Sequence, residues 1–498
     1  MSIDYGKLIS NIRLQPSSAP KNNLADESES DRARVIYSSS FRRLQKKAQV
    51  FSLEDNASVR SRLTHSLEVG QIGRYLARST IKEIKLLPKN TLTSENEQAF
   101  INLVETACLI HDIGNPPFGH FGESAVQKWF SDNGAYSICE ASENKVNEAD
   151  AKKLLKDFTQ FDGNCQGLRL LTRLLWTRDH NGLNLTCSQL ATYLKYIRAP
   201  FEDKDGNFSK KPGYFLTEEK TKETIWSKLG LNKKERFPLV YLMEASDDIA
   251  YCISDIEDGI EKGLITENFF YDNILNEWAF WVEEFELKEK NWLPDLLKDA
   301  WSKSYTHVEQ ARFLSFKTRF TTALVEAAAN QYAKDHDKLL TRTANSLLEN
   351  NTKEHAALKS LKSFSRRYLY RSDAAESIEL AGYKVISGLL DFYKPLLTCK
   401  KSTFGEICGL DDQSLHFGFT KSHEIPKDFD LEVRLFNKLP RKYRRCYYKS
   451  VQDNAGIDNI TADEEWLNRA HLIVDYIAGM TDHYALETYQ LLSGIKVV

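Results

Sequence analysis

The chain has 498 residues, 42% of them hydrophobic and 11% aromatic, which is enough apolar material for one large core or for two to three ordinary domains. A formal net charge of −3 gives no global reason to expect nucleic acid or an acidic membrane as the main partner. No stretch has the roughly 18 to 20 apolar residues of a membrane helix, and residues 1–18 lack the apolar run of a secretory signal. We therefore expect a soluble, cytoplasmic protein with no membrane partner.

Helical periodicity dominates the chain from the amino terminus onward. Leu67, Ile72 and Leu76 recur at helical spacing, as do Leu239 and Met243 further along. Glycine and proline are sparse, and neither a GxxxxGKS/T phosphate loop nor a GxGxxG turn is present. The eight cysteines are scattered without a CxxC pair, which argues against a zinc ribbon or a disulfide framework. The sequence predicts an all-α protein and argues against P-loop enzymes and Rossmann dehydrogenases.

Polar stretches suggest how the chain is divided. The segments 131–156 and 200–213 are rich in turn formers, and we expect polar insertions that interrupt the helices there. A further polar region around 335–375 precedes an apolar carboxy-terminal part. We divide the chain into a helical core over residues 1–280 and a large helical carboxy-terminal region over 281–498, with one continuous domain as the alternative.

Side chains suited to a divalent cation occur in three separated segments. His111 and Asp112 are adjacent at the end of an apolar helix, which the Gly-Asn-Pro-Pro sequence that follows is predicted to terminate. A cation needs further ligands, and the candidates on other helices are His65 and either Asp247 or Asp248. Imidazole and carboxylate together suit Mn, Mg, Fe, Co, Ni or Zn. A lone histidine is usually structural, so the prediction depends on the combination of the three segments.

Two further patterns carry candidate chemistry. His120 and Glu123 are three residues apart and share a face if a helix begins there, so the carboxylate can fix the tautomer of the imidazole; a helix-capping role is the alternative. Asp247, Tyr251 and Asp255 form a stripe at four-residue spacing that can present a ligand, a ring and a hydroxyl acceptor to one pocket. The alternative for this stripe is a solvated acidic helix.

The three segments, in this order, resemble the metal set of the HD superfamily, and their surroundings are similar to the bacterial deoxyguanosine triphosphate triphosphohydrolases. The motifs that carry the similarity are ESDRARVIYSSSFRRLQKKAQVF at 29–51, RLTHSLEV at 62–69, HDIGNPPFGHFGE at 111–123, FDGNCQG at 161–167, KKPGYF at 210–215, SDDIAYCISDIED at 246–258, GYKVISGLL at 382–390 and DYIAGMTD at 475–482. The resemblance spans almost the whole chain and departs mainly in the polar segments. It implies an HD-domain helical core with a carboxy-terminal region that completes the pocket and makes oligomer contacts.

The resemblance also implies roles for individual residues. The metal ligands would be His65, His111, Asp112 and Asp247. His120 would handle a proton in catalysis, with Glu123 orienting it. Contacts to the deoxyribose and its surroundings would come from Gln49, Tyr251, Asp255, Asn164 and Gln166. The triphosphate would meet the cations Arg43, Lys195 and Lys211. The guanine would meet Glu379 and Arg434.

The activity implied by the resemblance is hydrolysis of dGTP, and of other deoxynucleoside triphosphates as an alternative, to the deoxynucleoside and intact tripolyphosphate. One divalent ion is expected, with Mn or Mg favoured over Ni, Co, Fe or Zn, and the assembly implied is a homo-hexamer. Rival interpretations are another HD phosphohydrolase, such as a nucleotidase or a phosphodiesterase, and a regulatory protein with a vestigial site that binds single-stranded DNA. The basic runs 41–47 and 441–449, the second with interleaved tyrosines, are the feature behind the second rival, and the alternative for such runs is a solvated helix face. The resemblance implies single-stranded DNA as an additional partner of the enzyme.

Overall fold

The computed structural model describes residues 3–21, 23–54, 56–143, 145–176, 180–302, 311–371 and 373–496. Within these ranges no strand forms, and extended pairing is limited to the isolated bridges Arg13–Thr186 and Ala48–Ser61. The all-α prediction is therefore confirmed. None of the helices in the described ranges is both long enough and apolar enough to cross a membrane.

The helices before residue 285 are α1 Tyr5–Leu8, α2 Leu24–Ile36, α3 Ser39–Arg43, α4 Arg62–Lys85, α5 Ser94–Ile110, α6 Gly119–Ala141, α7 Glu148–Thr159, α8 Gly163–Arg169, α9 Cys187–Tyr193, α10 Glu219–Leu229, α11 Val240–Glu261 and α12 Glu267–Glu284. Those that follow are α13 Trp292–Ser302, α14 Ala311–Lys334, α15 Lys353–Tyr368, α16 Asp373–Thr398, α17 Lys401–Gly409, α18 Asp430–Lys438, α19 Arg441–Asp453, α20 Ala462–Ala478 and α21 Asp482–Leu492. Short 3₁₀ turns occur at Leu44–Lys46, Leu216–Glu218, His336–Lys338 and Asp412–Phe417, and a π-helical turn occurs at Leu170–Leu174.

Helix α5 lies at the centre of the amino-terminal part. Every residue from Ala99 to Ile110 is buried, and α2, α4, α9 and α11 pack around it. Helix α4 starts at a capping box in which Ser61 and Thr64 satisfy each other's backbone amides, which fixes the position of the first turn that carries His65. Because α4, α5 and α11 pack on one another, residues far apart in sequence reach one place.

The segment 131–156, which the sequence predicts as a polar insertion, is mostly helical. Helix α6 runs through residue 141 and α7 begins at residue 148, so the interruption is confined to the residues between them. The polar residues lie on the outer faces of the two helices. Gly134, which resembles a turn former in the sequence, lies where α6 meets α7: a Cβ there would come within 2.5 Å of Leu155 Cδ2. The glycine therefore permits close helix packing and does not form a turn.

The other two polar regions differ from each other. Residues 200–213 contain no helix in the structure and connect α9 to the turn before α10. The region 335–375 includes all of α15, whose buried face contains Leu358, Leu361 and Phe364. Buried side chains before and after residue 280 belong to one continuous hydrophobic cluster. The division at residue 280 stays a prediction.

Candidate metal centre and substrate pocket

Three ligand atoms converge where α4, α11 and the end of α5 meet. Asp247 Oδ1 lies 3.4 Å from His65 Nε2 and 3.5 Å from His111 Nε2. The ligand atoms of these residues all lie within 4.8 Å of one another. Asp112 Oδ2 lies 3.6 Å from His111 Nε2, so the fourth predicted ligand is adjacent to the cluster. Two imidazoles and two carboxylates are donors suited to a divalent metal, so the residues present fit such an ion.

The surroundings of the cluster prepare its ligands. The carbonyl of Cys108 can only accept, so the Nδ1–H of His111 donates to it at 2.7 Å, which leaves Nε2 of His111 free to coordinate. Asp112 accepts from the Asn115 side-chain amide at 2.8 Å and forms an ion pair with Arg62. Burial alone raises the pKa of Asp112, but the charges of His111 and Arg62 outweigh burial and lower the pKa to about 2.

The two adjacent aspartates of α11 have different environments. Asp247 faces His65 and His111, whereas Asp248 forms an ion pair with Lys362 at 2.7 Å. Burial raises the pKa of Asp247, but the charge of His111 and the hydrogen bond with His65 more than offset burial and hold the pKa well below its usual range. The geometry thus separates two carboxylates that spacing alone leaves equivalent.

His120 and Glu123 form the expected pair at the start of α6. The Nδ1–H of His120 donates to Glu123 Oε2 at 2.9 Å, and Glu123 Oε1 accepts from the backbone amide of Gly163 at 2.8 Å. Glu123 is buried, whereas the side chain of His120 is 84% exposed and faces the pocket. The hydrogen bond that His120 donates to Glu123 raises the pKa of His120. A fixed carboxylate thus orients an accessible imidazole that carries a proton more readily than usual.

These groups open onto a cavity of about 680 Å³. The predicted site residues that line it are Gln49, His111, Asp112, His120, Glu123, Asn164, Lys195, Lys211, Asp247, Tyr251 and Glu379. Lys195 lies 3.9 Å from Glu244, and Lys211 forms an ion pair with Asp162 at 2.6 Å. The cavity therefore combines the metal cluster with lysines that can contact an anionic substrate.

Asp255 lies directly beneath the lining residues. Its Oδ2 accepts from the Tyr370 hydroxyl, which is also 2.7 Å from the Tyr251 hydroxyl. Asp255 Oδ1 is buried without a hydrogen-bond partner, and burial raises the pKa of the carboxyl to about 8. A buried carboxyl with an unsatisfied oxygen is a candidate partner for a ligand hydroxyl.

Besides Asp255, three predicted substrate residues do not line the cavity. Gln166 is buried and donates to Asp475 at 2.9 Å, so its amide points into the interior. Arg43 donates to the hydroxyl of Ser40 at 2.7 Å, one turn away on α3. Arg434 is exposed on α18, because the apolar residues of that short helix take the inner face. Contacts between these three side chains and substrate are not supported by their placement.

Sequence reasoning missed several lining residues. They include Arg62, Lys210, Lys362 and Tyr370. Arg62 could have been found, because it lies three residues before His65 on the same helix face. Lys362 and Tyr370 belong to the polar region around 335–375, where no motif in the sequence indicates a site.

The tyrosines of the basic run 441–449 are not available for stacking on bases. Tyr443, Tyr447 and Tyr448 are at most 3% exposed. The hydroxyl of Tyr447 donates to Glu465 at 2.5 Å, and that of Tyr448 donates to Asp411 at 3.0 Å. This run therefore lacks the aromatic platform that binding of single strands commonly uses, which removes the interleaved tyrosines as an argument for single-stranded DNA.

Comparison with known proteins agrees with the fold and the site. The HD domain model matches residues 62–182, which include three of the four predicted ligands, and the phosphohydrolase-associated domain model matches residues 449–491. Together with the helical fold and the His/Asp cluster, these matches define an HD-domain phosphohydrolase, a class whose domain implies a divalent metal ion.

Curated relatives specify the family within this class. Deoxyguanosinetriphosphate triphosphohydrolases from Yersinia pseudotuberculosis and Serratia proteamaculans are 36% and 34% identical to the chain, each over 99% of this chain and 99% of the relative. The enzyme of that name from Yersinia enterocolitica is 35% identical over the same shares. The chain belongs to the deoxyguanosinetriphosphate triphosphohydrolase family.

Proposed function

We propose that this protein hydrolyses dGTP to deoxyguanosine and tripolyphosphate. The observation that carries the proposal is the cluster of His65, His111 and Asp247, with Asp112 adjacent, opening onto a cavity with several lysines. The names of the full-length relatives supply the substrate. Phosphate-ester hydrolysis needs a metal, a proton donor and cations for the phosphates, and this cavity offers residues for each.

The metal would be held by His65, His111, Asp112 and Asp247, and we propose Mn or Mg as the ion used, with Ni, Co, Fe or Zn as alternatives. When bound, such an ion supplies Lewis-acid activation for attack of water on the α-phosphate. Arg62, which pairs with Asp112, holds that carboxylate in its ionised form and keeps it ready to coordinate. Lys195 and Lys211 offer positive charge for the triphosphate.

His120 is the proposed proton donor to the leaving O5′. Its Nδ1 is committed to Glu123, so its Nε2 is the nitrogen available to the substrate. Glu123 is itself held by the amide of Gly163, and it fixes the tautomer and favours the imidazolium. Because its pKa is raised, this exposed imidazole keeps the proton that the leaving group needs up to a higher pH than an ordinary histidine does.

The deoxyribose is proposed to lie between Gln49 and Tyr251. Gln49 lines the cavity beside Arg62, and Tyr251 and Asp255 are both hydrogen-bonded to the hydroxyl of Tyr370. The unsatisfied Oδ1 of Asp255 and the Gln49 amide are suited to bind the 3′-hydroxyl, and Asn164 offers a further amide to the pocket. A ring packed against the sugar leaves little room for a 2′-hydroxyl.

One experiment tests the proposed function directly. The purified protein is incubated with Mn or Mg and with each of the four deoxynucleoside triphosphates and GTP, and the products are separated by ion-exchange chromatography. We expect deoxyguanosine and tripolyphosphate in equal amounts, with GTP a poor substrate. Release of pyrophosphate with dGMP, or of dGDP with phosphate, would contradict the proposal, because either places the cut elsewhere on the triphosphate.

The assembly is a further proposal. We propose a cytoplasmic homo-hexamer, supported by the family resemblance and by exposed apolar side chains such as Leu380 and Leu431 in the carboxy-terminal region. Light scattering over a range of concentrations tests it, and an active monomer at every concentration would contradict it.

Single-stranded DNA is proposed as an additional partner of exposed cations such as Arg441 and Arg445, and salt-dependent binding of an oligonucleotide tests that separately.

A further inference from the structure

The DYIAGMTD segment at residues 475–482 connects the carboxy-terminal region to the pocket, although none of its residues lines the cavity. It forms the end of α20 and the first residue of α21. Asp475 holds Gln166 and Arg169 of α8 by hydrogen bonds of 2.9 and 3.0 Å. Asp482, at the other end of the segment, makes contacts to two different pocket segments.

The Asp482 carboxylate joins two backbone segments that lie 70 residues apart in sequence. Its Oδ2 accepts from the amide of Ala48 at 3.0 Å, and its Oδ1 accepts from the amide of Phe118 at 3.1 Å. Ala48 directly precedes Gln49, and Phe118 lies two residues before His120. Asp482 is only 3% exposed, so water does not replace either contact. One buried carboxylate therefore connects the segment that carries Gln49, the proposed sugar contact, to the segment that carries His120, the proposed proton donor.

A second bridge runs beside the first. The buried ammonium of Lys47 donates to the carbonyl of Ala478 at 2.8 Å and to the carbonyl of Asn115 at 2.5 Å. The Asn115 side chain in turn donates to Asp112 at 2.8 Å. The loop that follows the His-Asp dipeptide is thus fixed to the end of α20 by one cation and to the start of α21 by one anion.

The start of α6 depends on these contacts. Phe118, the residue before the helix, has a φ of 60°, a conformation unfavourable for a bulky side chain, and no side chain caps the helix there. The ring of Phe118 packs against Gly382 of α16, where a Cβ would come within 2.4 Å of it. The Asp482 carboxylate and the space left by Gly382 both come from the carboxy-terminal region, and they hold Phe118 in this conformation.

We propose that Asp482 is a positioning residue, which sets the distance and orientation between Gln49 and His120. The proposal rests on the proposed function, because it assigns these two residues to sugar binding and proton donation. By this proposal Asp482 contributes to catalysis without itself touching substrate. Rigid attachment of catalytic side chains matters because small displacements of a reacting group cost ~10²-fold in rate.

The test is the isosteric variant Asp482→Asn. An amide has one acceptor oxygen, so one of the two backbone amides loses its partner while volume is unchanged. We expect kcat for dGTP to fall by ~10- to 100-fold with bound metal unchanged, and discrimination between dGTP and its 3′-deoxy analogue to narrow. Hydrogen exchange should accelerate in peptides that contain Ala48 and Phe118.

The matched control is Glu465→Gln. Glu465 is another fully buried carboxylate of the carboxy-terminal region, but its partners are Arg469 and Tyr447, away from the pocket. The Glu465→Gln variant should have lower thermal stability, but its kcat, sugar discrimination and hydrogen exchange at Ala48 and Phe118 should be those of the wild type. If Asp482→Asn does not fold, Lys47→Met breaks the neighbouring bridge and should give the same kinetic and exchange pattern.

The outcomes separate this proposal from the proposed function. Wild-type kcat and discrimination in Asp482→Asn, or loss of metal from it, would overturn the positioning role while dGTP hydrolysis by the wild type still stands. A wild-type protein that does not hydrolyse dGTP would overturn the proposed function. The exchange measurement then still decides whether Asp482 holds the two segments, because unchanged exchange in the variant contradicts the bridge.

Discussion

The metal end of the pocket and the end proposed to bind the base, here called the base end, are built in different ways. At the metal end, His65, His111 and Asp247 come from three mutually packed helices, and their ligand atoms converge within one protomer. At the base end, Glu379 is half-buried on α16, and Arg434, which by the family resemblance would meet the same base, is exposed on α18 outside the cavity. The metal end is fixed by buried helix packing, whereas the base end has one lining residue of the two expected.

This difference ranks the expected effects of substitution. A ligand in a converged cluster has no substitute nearby, so its loss should remove the activity. A partly solvated contact to a base can be replaced by water, so its loss should change preference more than rate. Substitutions along the cavity, from the metal end to the base end, test this ranking.

The largest loss should follow removal of a metal ligand. His111→Ala, or Asp112→Ala, deletes one of the four proposed ligands, so we expect bound metal and hydrolysis to fall below detection while the helical circular dichroism is retained. The control is Asp248→Asn, which changes the neighbouring carboxylate that pairs with Lys362 and should keep the metal. Near wild-type turnover with stoichiometric metal in His111→Ala would refute the proposed ligand set.

The next largest loss is expected at His120. His120→Ala should retain metal and substrate affinity but lose ~10²- to 10⁴-fold in kcat, which is the usual contribution of general acid–base catalysis. Metal analysis and steady-state kinetics measure the two quantities separately. If the variant loses its metal instead, His120 is a ligand and the proposed proton donor must be sought elsewhere.

Glu123→Gln should have a milder effect with a distinct pH signature. The hydrogen bond that His120 donates to Glu123 raises the pKa of His120. The imidazolium that donates the proton is therefore present below that raised pKa and is lost as pH rises through it. With an amide at position 123, the alkaline limb of the pH–rate profile should move to lower pH. The loss should be absent in the His120→Ala background, because no imidazole is left to orient; full additivity would show that the two residues act independently.

The sequence predicts the metal end better than the rest of the molecule. His65, His111 and Asp112 lie in contiguous motifs on predicted helices, and the family resemblance selects Asp247 over Asp248. Helix packing then brings these residues together. Arg43 and Gln166 also belong to recognisable motifs, yet their side chains turn to Ser40 and Asp475. Motif membership therefore predicts proximity to a site, but tertiary packing decides the direction of each side chain.

The prediction of the fold from the sequence is limited by tertiary packing in the same way. Periodicity correctly predicts an all-α protein, because apolar spacing is a local property. The segment 131–156 is predicted to interrupt the helices, since its polar residues and Gly134 look like turn formers. In the structure, Gly134 lies inside α6 and leaves room for the side chain of Leu155 where α6 packs on α7. The role of Tyr370 depends on its hydrogen bonds to Tyr251 and Asp255, which are more than 100 residues away in sequence, so no local pattern reveals it.

Between the two ends, the sugar contacts should give an intermediate effect. Gln49→Ala and Asp255→Ala should each weaken dGTP use and narrow the preference for dGTP over GTP by ~10-fold, since each removes a proposed 3′-hydroxyl contact that would hold the sugar against Tyr251, where a 2′-hydroxyl has little room. Competition between dGTP and GTP in one reaction measures the ratio directly. Unchanged discrimination in both variants would place sugar recognition elsewhere in the cavity.

The smallest effect is expected at the base end. Glu379 is proposed to accept from the guanine edge, and Glu379→Gln keeps its size while replacing one acceptor oxygen with a donor. We expect kcat for dGTP to stay near the wild-type value and the preference for dGTP over dATP to fall by roughly tenfold or less, because a partly exposed hydrogen bond to a charged group contributes about 1.5 kcal/mol.

The matched control for Glu379→Gln is Glu376→Gln, because Glu376 is exposed one turn earlier on α16 and does not line the cavity. Burial, with a contribution from Glu376, raises the pKa of Glu379, so the carboxylate and the guanine preference that depends on it should be lost as pH falls through that raised pKa. The preference in Glu379→Gln should not vary with pH in this way. A collapse of kcat in Glu379→Gln as deep as that of His120→Ala would show that the base end is as rigidly coupled to catalysis as the metal end, and the contrast between the two ends would no longer hold.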